Sequence, residues 1–444
     1  MRKHAVFFYY VVPSVLAFAL SGVYAIVDGF FIGNSIGDAG LAAINFAWPV
    51  TSLLQALGTG IGMGGAVQYS LHLGSEQDRQ NSPNSYFHVT ILLLFVSSFA
   101  SAALFIFASK PLLILFGAEG EVLNMGTAYL KVIVLGAAFQ IFGTGFVPLI
   151  RNLGGSLFAM TAMICGFLTN IVLDWLFVWQ LEWSLVGAAA ATMTGQGVTM
   201  LLALFYLVKN KIGFSLPPLK ILKKQAAAIV GVALTPFGLT FSPNIILILM
   251  NKFAMIYGGE MAVACYAAVS YITMIILLLL QGVGDGCQPL ISRYYGEQKH
   301  DYVKSTRQMA YGTALVLAAI CMVLLFLVRG SAASLFGASA AVRAEVAATL
   351  PYFLAGFIPL AFVKVTTSAF YATEQNRFAY MLVYAEPIFL LILLLILPRL
   401  WNLSGIWIAA LCSQLLTFAV SFYCIKLSPR QALHSSVPAK SAKA

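Results

Sequence analysis

Charge is scarce in this chain. Only 9% of its 444 residues are Asp, Glu, Lys or Arg, where a soluble protein carries roughly a quarter. The 15 acids and 25 Lys and Arg are too few to solvate a surface of this size, which excludes a water-soluble globular protein. Histidine is equally sparse. His4, His72, His88, His300 and His434 are scattered at span ends and tails, with no HExxH or paired spacing. That removes the main support for a membrane-embedded enzyme, and none is expected. Cysteine is also low: Cys165, Cys265, Cys287, Cys321, Cys412 and Cys424 stand singly in apolar runs. Without CxxC or paired spacing they read as small buried apolar residues, not as disulfides or metal ligands. No cleavable leader is evident either. The first apolar run, Val6 to Gly33, is too long for a signal h-region.

Apolar residues, by contrast, are abundant, at 61% of the chain. Apolar stretches of about 20 residues recur throughout, the length that crosses a bilayer as a helix. Twelve spans are expected. In the first half they run about 6–33, 41–70, 86–109, 123–148, 156–180 and 184–208; in the second, about 228–256, 261–292, 308–329, 347–372, 378–398 and 404–426. The fold class is therefore an all-α polytopic membrane protein. The connection near 209–227 carries Lys209, Lys211, Lys220, Lys223 and Lys224 with Pro217-Pro218, and reads as a linker. It divides the chain into 1–215, an N-lobe with spans 1–6, and 216–444, a C-lobe with spans 7–12 and a short basic tail from about 427.

The net charge of +10 does not point to nucleic acid, because it sorts by membrane side. Among loop and terminal cations, only Lys110, Arg329, Arg343 and Arg399 fall opposite the rest; Lys131, Lys252 and Lys364 lie inside spans. By the positive-inside rule both termini are expected in the cytoplasm, with the chain multi-pass in the inner (plasma) membrane.

The second half repeats the first. Gly60-Ile-Gly-Met-Gly-Gly lines up with Gly282-Val-Gly-Asp-Gly-Cys, and Ser70 with Ser292, at a displacement of 222 residues, half of 444. Near the same register Pro13 meets Pro236, and at a slightly shorter one Gln196 meets Gln414. Six spans per half insert with one orientation. The two six-helix bundles should then be related by a pseudo-two-fold axis along the membrane normal, the plan of many transporters. The paired G-x-G patterns lie inside apolar helices with no preceding strand, so they serve close helix packing and not nucleotides.

Each acid inside a span costs about 2.5–3.5 kcal/mol on insertion scales, so each needs a reason. The intramembrane acids are Asp28, Asp174, Asp285 and Glu386. Asn170 and Asp174 are spaced i, i+4 and share a helix face. With Asp28 and Thr192 they fall in one slab, roughly 8–15 Å below the outer surface at 1.5 Å per residue. Oxygen ligands of this kind suit a hard monovalent cation, or a proton shared by two acids; separate interhelical hydrogen bonds are the plainer alternative. In the second half Leu390, Leu394 and Ala410 stand where Asn170, Asp174 and Thr192 stand, and Met250 and Asn251 lie near the place of Asp28. Ion chemistry is expected in the first half alone. The second half has Lys364 and Glu386 at similar depth, a candidate ion pair, and Asp285 between glycines beside Pro289. Pro13, fifteen residues before Asp28, removes a helix hydrogen bond and is a candidate hinge. Candidate substrate-lining residues are Phe30, Trp48, Gln55, Met255, Tyr266 and Gln281.

Pro13, Val27-Asp28-Gly-Phe-Phe-Ile-Gly33, Leu41-Ala-Ala-Ile-Asn45, Asn170-Ile-Val-Leu-Asp174, Gly187-Ala-Ala-Ala-Ala-Thr192 and Gln288-Pro289 together resemble the multidrug and toxic compound extrusion (MATE) family, on its DinF-like bacterial side. The resemblance covers nearly the whole chain. It implies two six-helix bundles around a V-shaped cavity and export of amphipathic, often cationic compounds against inward H⁺ or Na⁺. It also implies a cation site at Asp28, Asn170, Asp174 and Thr192 and a bent first span at Pro13. The acids that NorM-like members use in spans 7 and 10 are replaced here by Asn251 and Lys364. The resulting expectation is a cation-coupled antiporter that works by alternating access, as a monomer, on a small-molecule substrate and without a cofactor beyond the coupling ion. A flippase for lipid-linked oligosaccharides or lipids, from the same wider superfamily, is the alternative. An ion channel is disfavoured, since one off-centre acidic site forms no symmetric selectivity ring.

Overall fold

In the computed structural model, residues 3–74, 83–212, 215, 217–332 and 340–432 are described. Arg2, Arg79, the stretch next to the expected 215/216 division and the tail beyond 432 lie outside them. Helices account for nearly all the described residues, and there is no strand among them. This is what a bilayer imposes, since only intra-segment hydrogen bonding satisfies the backbone in hydrocarbon.

The elements are α1 (Lys3–Ser35), α2 (Asp38–Gly74), α3 (Pro83–Leu115), α4 (Gly120–Leu135), α5 (Ala137–Asn152), α6 (Ser156–Asp174), α7 (Ser184–Lys209), α8 (Leu219–Gly296), α9 (His300–Ala332), α10 (Ala340–Ala355), α11 (Phe357–Ala372) and α12 (Asn376–Ala432). A π-helical stretch, Trp175–Gln180, continues α6.

The elements and the expected spans correspond, with four refinements. α8 is 78 residues long but turns at Gly259, whose φ of 62° only glycine adopts without strain. α12 turns at Trp401 and Asn402. Each is therefore two spans joined end to end. Conversely, the spans expected as 123–148 and 347–372 are each broken in the middle. α4 and α5 meet at 57°, and α10 and α11 at 41°. Counted this way the chain makes twelve crossings. The two breaks fall at Gly136 and Gly356, equivalent places in the halves. Both are close contacts: a Cβ would lie 2.5 Å from Met193 Cγ at the first and 1.6 Å from Gln414 Oε1 at the second.

The core is divided in the same way as the chain. One buried apolar cluster draws on Ile32, Leu54, Phe87, Ile133, Phe146 and Met193 and stays within the first half. A second, with Val269, Leu280, Val283, Leu350 and Phe357, lies in the second half but also takes Phe7 and Val11 from α1. The N-terminal part of α1 thus packs on the other half. A Cβ on Gly282 would fall 2.7 Å from Val15 Cα, and one on Gly286 2.8 Å from Val11 Cα. The outer part of α1 returns to its own half, where Tyr24 stacks on Phe167 with ring centroids 5.2 Å apart. Pro13 is buried within the first attachment, between Val11 and Val15, and α1 remains one helix across it.

A third cluster joins the halves. Met63, Val67 and Leu71 of α2 pack with Val232, Phe370, Tyr371 and Phe378. Tyr86 and Val89 of α3 pack on Ile229. These residues lie toward the end of the bundle that carries most of the basic loops, called here the basic end.

Candidate functional site

The sequence-predicted quartet comes together. Asn170 and Asp174, one turn apart on α6, face Thr192 of α7 and Asp28 of α1. The Asn170 carboxamide, oriented to satisfy both of its ends, donates to Asp174 Oδ2 at 3.0 Å and accepts from the Thr192 backbone N–H at 3.0 Å. Thr192 Oγ1 lies 3.3 Å from the same carboxamide. The carboxyl groups of Asp28 and Asp174 are within hydrogen-bonding reach of each other. Asn170 and Asp174 are buried, at 2% and 0% exposure. Asp28 is half-buried.

Small residues make this approach possible. A Cβ on Gly195 of α7 would lie 2.7 Å from Gly166 O and 3.1 Å from Asn170 Cβ. A Cβ on Gly166 would collide with Thr199 Oγ1 at 2.1 Å. The two helices therefore touch backbone to backbone directly beside the site, a packing mode that membrane helices favour. Immediately past Asp174 the helix widens into the π stretch, a feature that often marks functional positions. Trp179 of that stretch meets Phe31 edge to face, with centroids 5.8 Å apart, so it fixes the end of α1 beyond Asp28.

Two tyrosines and a threonine that sequence reasoning did not select complete the shell. Tyr24 lies beside Thr192 and in the field of both acids. Tyr129 of α4 lies in the same field, beside Thr51 of α2. Tyr24 precedes Asp28 by one helical turn, so the i, i+4 rule could have found it. Tyr129 and Thr51 are brought in by tertiary packing and left no local signal.

Despite these partners, Asp28 Oδ1 and Asp174 Oδ1 are buried with no hydrogen-bond donor. Two carboxyls in contact, each with an orphaned oxygen, fit a species that supplies positive charge between them. A proton shared by the pair, or a small monovalent cation, has that chemistry.

The equivalent place in the second half is filled with hydrocarbon. Leu390, Leu394 and Ala410 are buried together with Met250, Ile406, Trp407 and Tyr266. Tyr266, expected to face substrate, is 5% exposed and packs between Phe353 and Trp407, at centroid distances of 6.0 and 6.3 Å.

The other second-half residues form a separate polar network. Gln281 donates to Asp285 Oδ1 at 2.7 Å and accepts from Lys364 Nζ at 3.2 Å. Tyr371 donates to the same Asp285 oxygen at 3.3 Å. The expected Lys364–Glu386 ion pair is not closed. The ion pairs among the described residues are Arg293–Glu297 and Lys299–Glu297. Lys364 turns to Gln281 and feels Glu386 only through its field, while Glu386 lies beside Gln414. The amide of Gln281 gives the ammonium a closer partner on α8. Gln281 is thereby occupied as a link in this network. Of the remaining candidates, Phe30 and Met255 are exposed at 54% and 50%, and Gln55 is half-buried. Trp48 donates its Nε1–H to Asn244 Oδ1 across the halves at 2.8 Å.

Comparison with known proteins bears on the family and the fold. The MatE family model matches residues 13–176 and 236–395, once in each half. The chain is similar to the multidrug export protein MepA of Staphylococcus saprophyticus, with 26% identity over 401 residues, covering 89% of this chain and 87% of that protein. It is also similar to MepA of Staphylococcus aureus, at 24% over 434 residues, covering 96% and 94%. Among solved structures it superposes on an outward-facing multidrug resistance MATE transporter of the MOP superfamily, with a TM-score of 0.88, 22% identity and 96% of each chain covered. It superposes equally on a MOP superfamily transporter from Pyrococcus furiosus, described as having a binding pocket of reverse polarity, with a TM-score of 0.89, 21% identity and 96% of each chain covered. At these identities the structural likeness speaks for the two-lobe fold alone.

Proposed function

The chain belongs to the MatE family of membrane transporters, and from that premise we propose that it exports amphipathic, often cationic compounds in exchange for inward-moving H⁺ or Na⁺. One observation carries this reading. Two carboxyls touch inside the first half with an unpartnered oxygen each, and the same position in the second half is apolar. Such a pair is expensive to bury unless it is periodically neutralised, and a coupling ion does that.

In the proposed cycle the cation enters from the outer side and loads Asp28 and Asp174, with Asn170 and Thr192 orienting Asp174. Loading removes the repulsion between the acids and lets α1 settle differently against α6 and α7. Pro13 is where α1 flexes, because it lacks the N–H that would close a helix hydrogen bond there. Exchange requires cation and substrate to prefer different states of the two lobes, 1–215 and 216–444. The basic end lies in the cytoplasm, with the chain in the plasma membrane and working as a single copy. The first-half pattern supports the DinF-like branch. The flippase alternative would need a free cationic surface for phosphates. Lys364 does not offer one, since its ammonium is held by Gln281 beside Glu386 and Asp285.

The test is efflux of a panel of dyes and drugs from vesicles with pH and sodium gradients imposed separately. Asp28→Asn and Asp174→Asn should each abolish gradient-driven efflux, by at least about a hundredfold if each removes about 3 kcal/mol of ion binding, while leaving insertion intact. Wild-type efflux by both variants would sink the assignment.

A further inference from the structure

At the basic end each half sends a glutamine into the other. Gln68 of α2 donates to Glu374 Oε1 at 2.6 Å, just beyond the end of α11. Gln288 of α8 meets Asn152, the last residue of α5, in a two-way amide pair. Asn152 Nδ2 donates to Gln288 Oε1 at 2.9 Å, and Gln288 Nε2 donates to Asn152 Oδ1 at 3.2 Å. α2 and the second arm of α8 occupy equivalent places in the repeat, as do α5 and α11. The two contacts are therefore approximate mirror roles, donor helix and acceptor end exchanged between the halves.

The serines that the repeat aligned both bond the Gln288–Asn152 pair. Ser70 donates to Asn152 Oδ1 at 2.6 Å; Ser292 accepts from Gln288 at 2.9 Å and donates to Ala372 O at the end of α11, also at 2.9 Å. Arg151, beside Asn152, adds a bond to Asp285 O at 3.3 Å. Gln68 and Gln288 are 1% and 0% exposed, and Gln68 follows Val67 of the apolar cluster that joins the halves.

We propose that these two glutamine contacts are a reciprocal latch that holds the basic end shut and is released when that end opens. The inference rests on the alternating-access reading above. Its physical basis is the choice of amides for this seam. A permanent interface between lobes is served by apolar packing, whose loss on opening is proportional to the area exposed. An amide pair loses little when water replaces its partner, because the net worth of such a bond is small. Buried amides that find each other fix the register of the closed form, since misaligned closure would leave them unsatisfied. A seam with an amide pair at one of its quasi-equivalent points and an amide–carboxylate bond, open to water on the Glu374 side, at the other closes in one register and still reopens.

The test is a distance measurement on the full chain in nanodiscs. Spin labels are placed at Leu73→Cys and Arg377→Cys, both exposed and on opposite halves, in a background with the six native cysteines replaced. Gln68→Ala and Gln288→Ala should each raise the fraction of long distances about fivefold, and together by more. An unchanged distance distribution in the double variant overturns the latch. Should the alanine variants fail to insert, Glu374→Lys removes an acceptor at an exposed position and is expected to shift the distribution in the same direction. No shift there overturns the latch equally. The readout is a distance and not transport. A chain that exported nothing would still pass or fail this test, and failure of the latch would leave the ion site untouched.

Discussion

Tyr24, Tyr129 and Thr51 separate the candidate ion site as built from the one read from sequence. Tyr129 reaches the neighbourhood of Asp28, Asp174 and Thr51 from α4. Tyr129→Phe keeps the ring in the core and removes the hydroxyl. Loss of one neutral polar contact is worth about 1 kcal/mol, so on the proposed cycle the driving-ion concentration for half-maximal efflux should rise about fivefold with little change in maximal rate. A variant that needs no more ion than wild type would remove Tyr129 from the shell. The quartet itself was legible because it follows local rules: Asn170 and Asp174 are one turn apart, and each intramembrane acid demands a reason. Tyr129 was not, because its contact exists only once α4 is docked. The buried setting of Tyr266 was hidden for a related reason. Aromatics are common in spans, and only the packing of Phe353 and Trp407 around it shows that it fills a core.

Among the elements, α6 and α7 are the pair on which the site depends. Their backbones meet at Gly166 and Gly195. Gly195→Val places side-chain atoms where Gly166 O and Asn170 Cβ already stand. Overpacking of this kind costs about 1–3 kcal/mol, and the expected result is a lower unfolding temperature in detergent together with loss of ion-dependent efflux. Unaltered stability would mean that the helices separate more easily than the contact implies. Span number and approximate bounds were readable from apolar length alone. The breaks at Gly136 and Gly356 were not, since glycine inside a membrane helix marks close packing as often as a bend, and only the neighbours Met193 and Gln414 decide between them. The turn at Gly259 was readable as a gap between spans 7 and 8, although the helix assignment runs through it.

For the whole molecule, the repeat has left a shared scaffold with unequal contents. The halves share breaks, lengths and their seam at the basic end, but one carries acids and the other leucines at the equivalent depth. The distribution of Lys and Arg sets the orientation, a proposal that reporter fusions check directly. A fluorescent protein fused after Ala444 should fold and fluoresce, and alkaline phosphatase at the same point should stay inactive. The opposite pattern would invert the cycle described above. Pro13→Ala belongs to this scale too, because α1 is anchored on both halves. It should leave substrate binding within about twofold and slow turnover, measurable as a lower efflux rate at saturating drug; an unchanged rate would make the proline a static feature.

The leucines that fill the second half's equivalent position have an electrical consequence. On the proposed cycle, one unit charge shared by Asp28 and Asp174 would bring one positive charge inward per turn. If the departing compound is a monocation, the exchange moves no net charge across the bilayer. Collapsing the membrane voltage while keeping the ion gradient would then leave export of such a compound running, and export of a neutral one would become voltage-dependent. The unequal halves thus set which component of the cell's electrochemical energy the exporter consumes, and for which cargo.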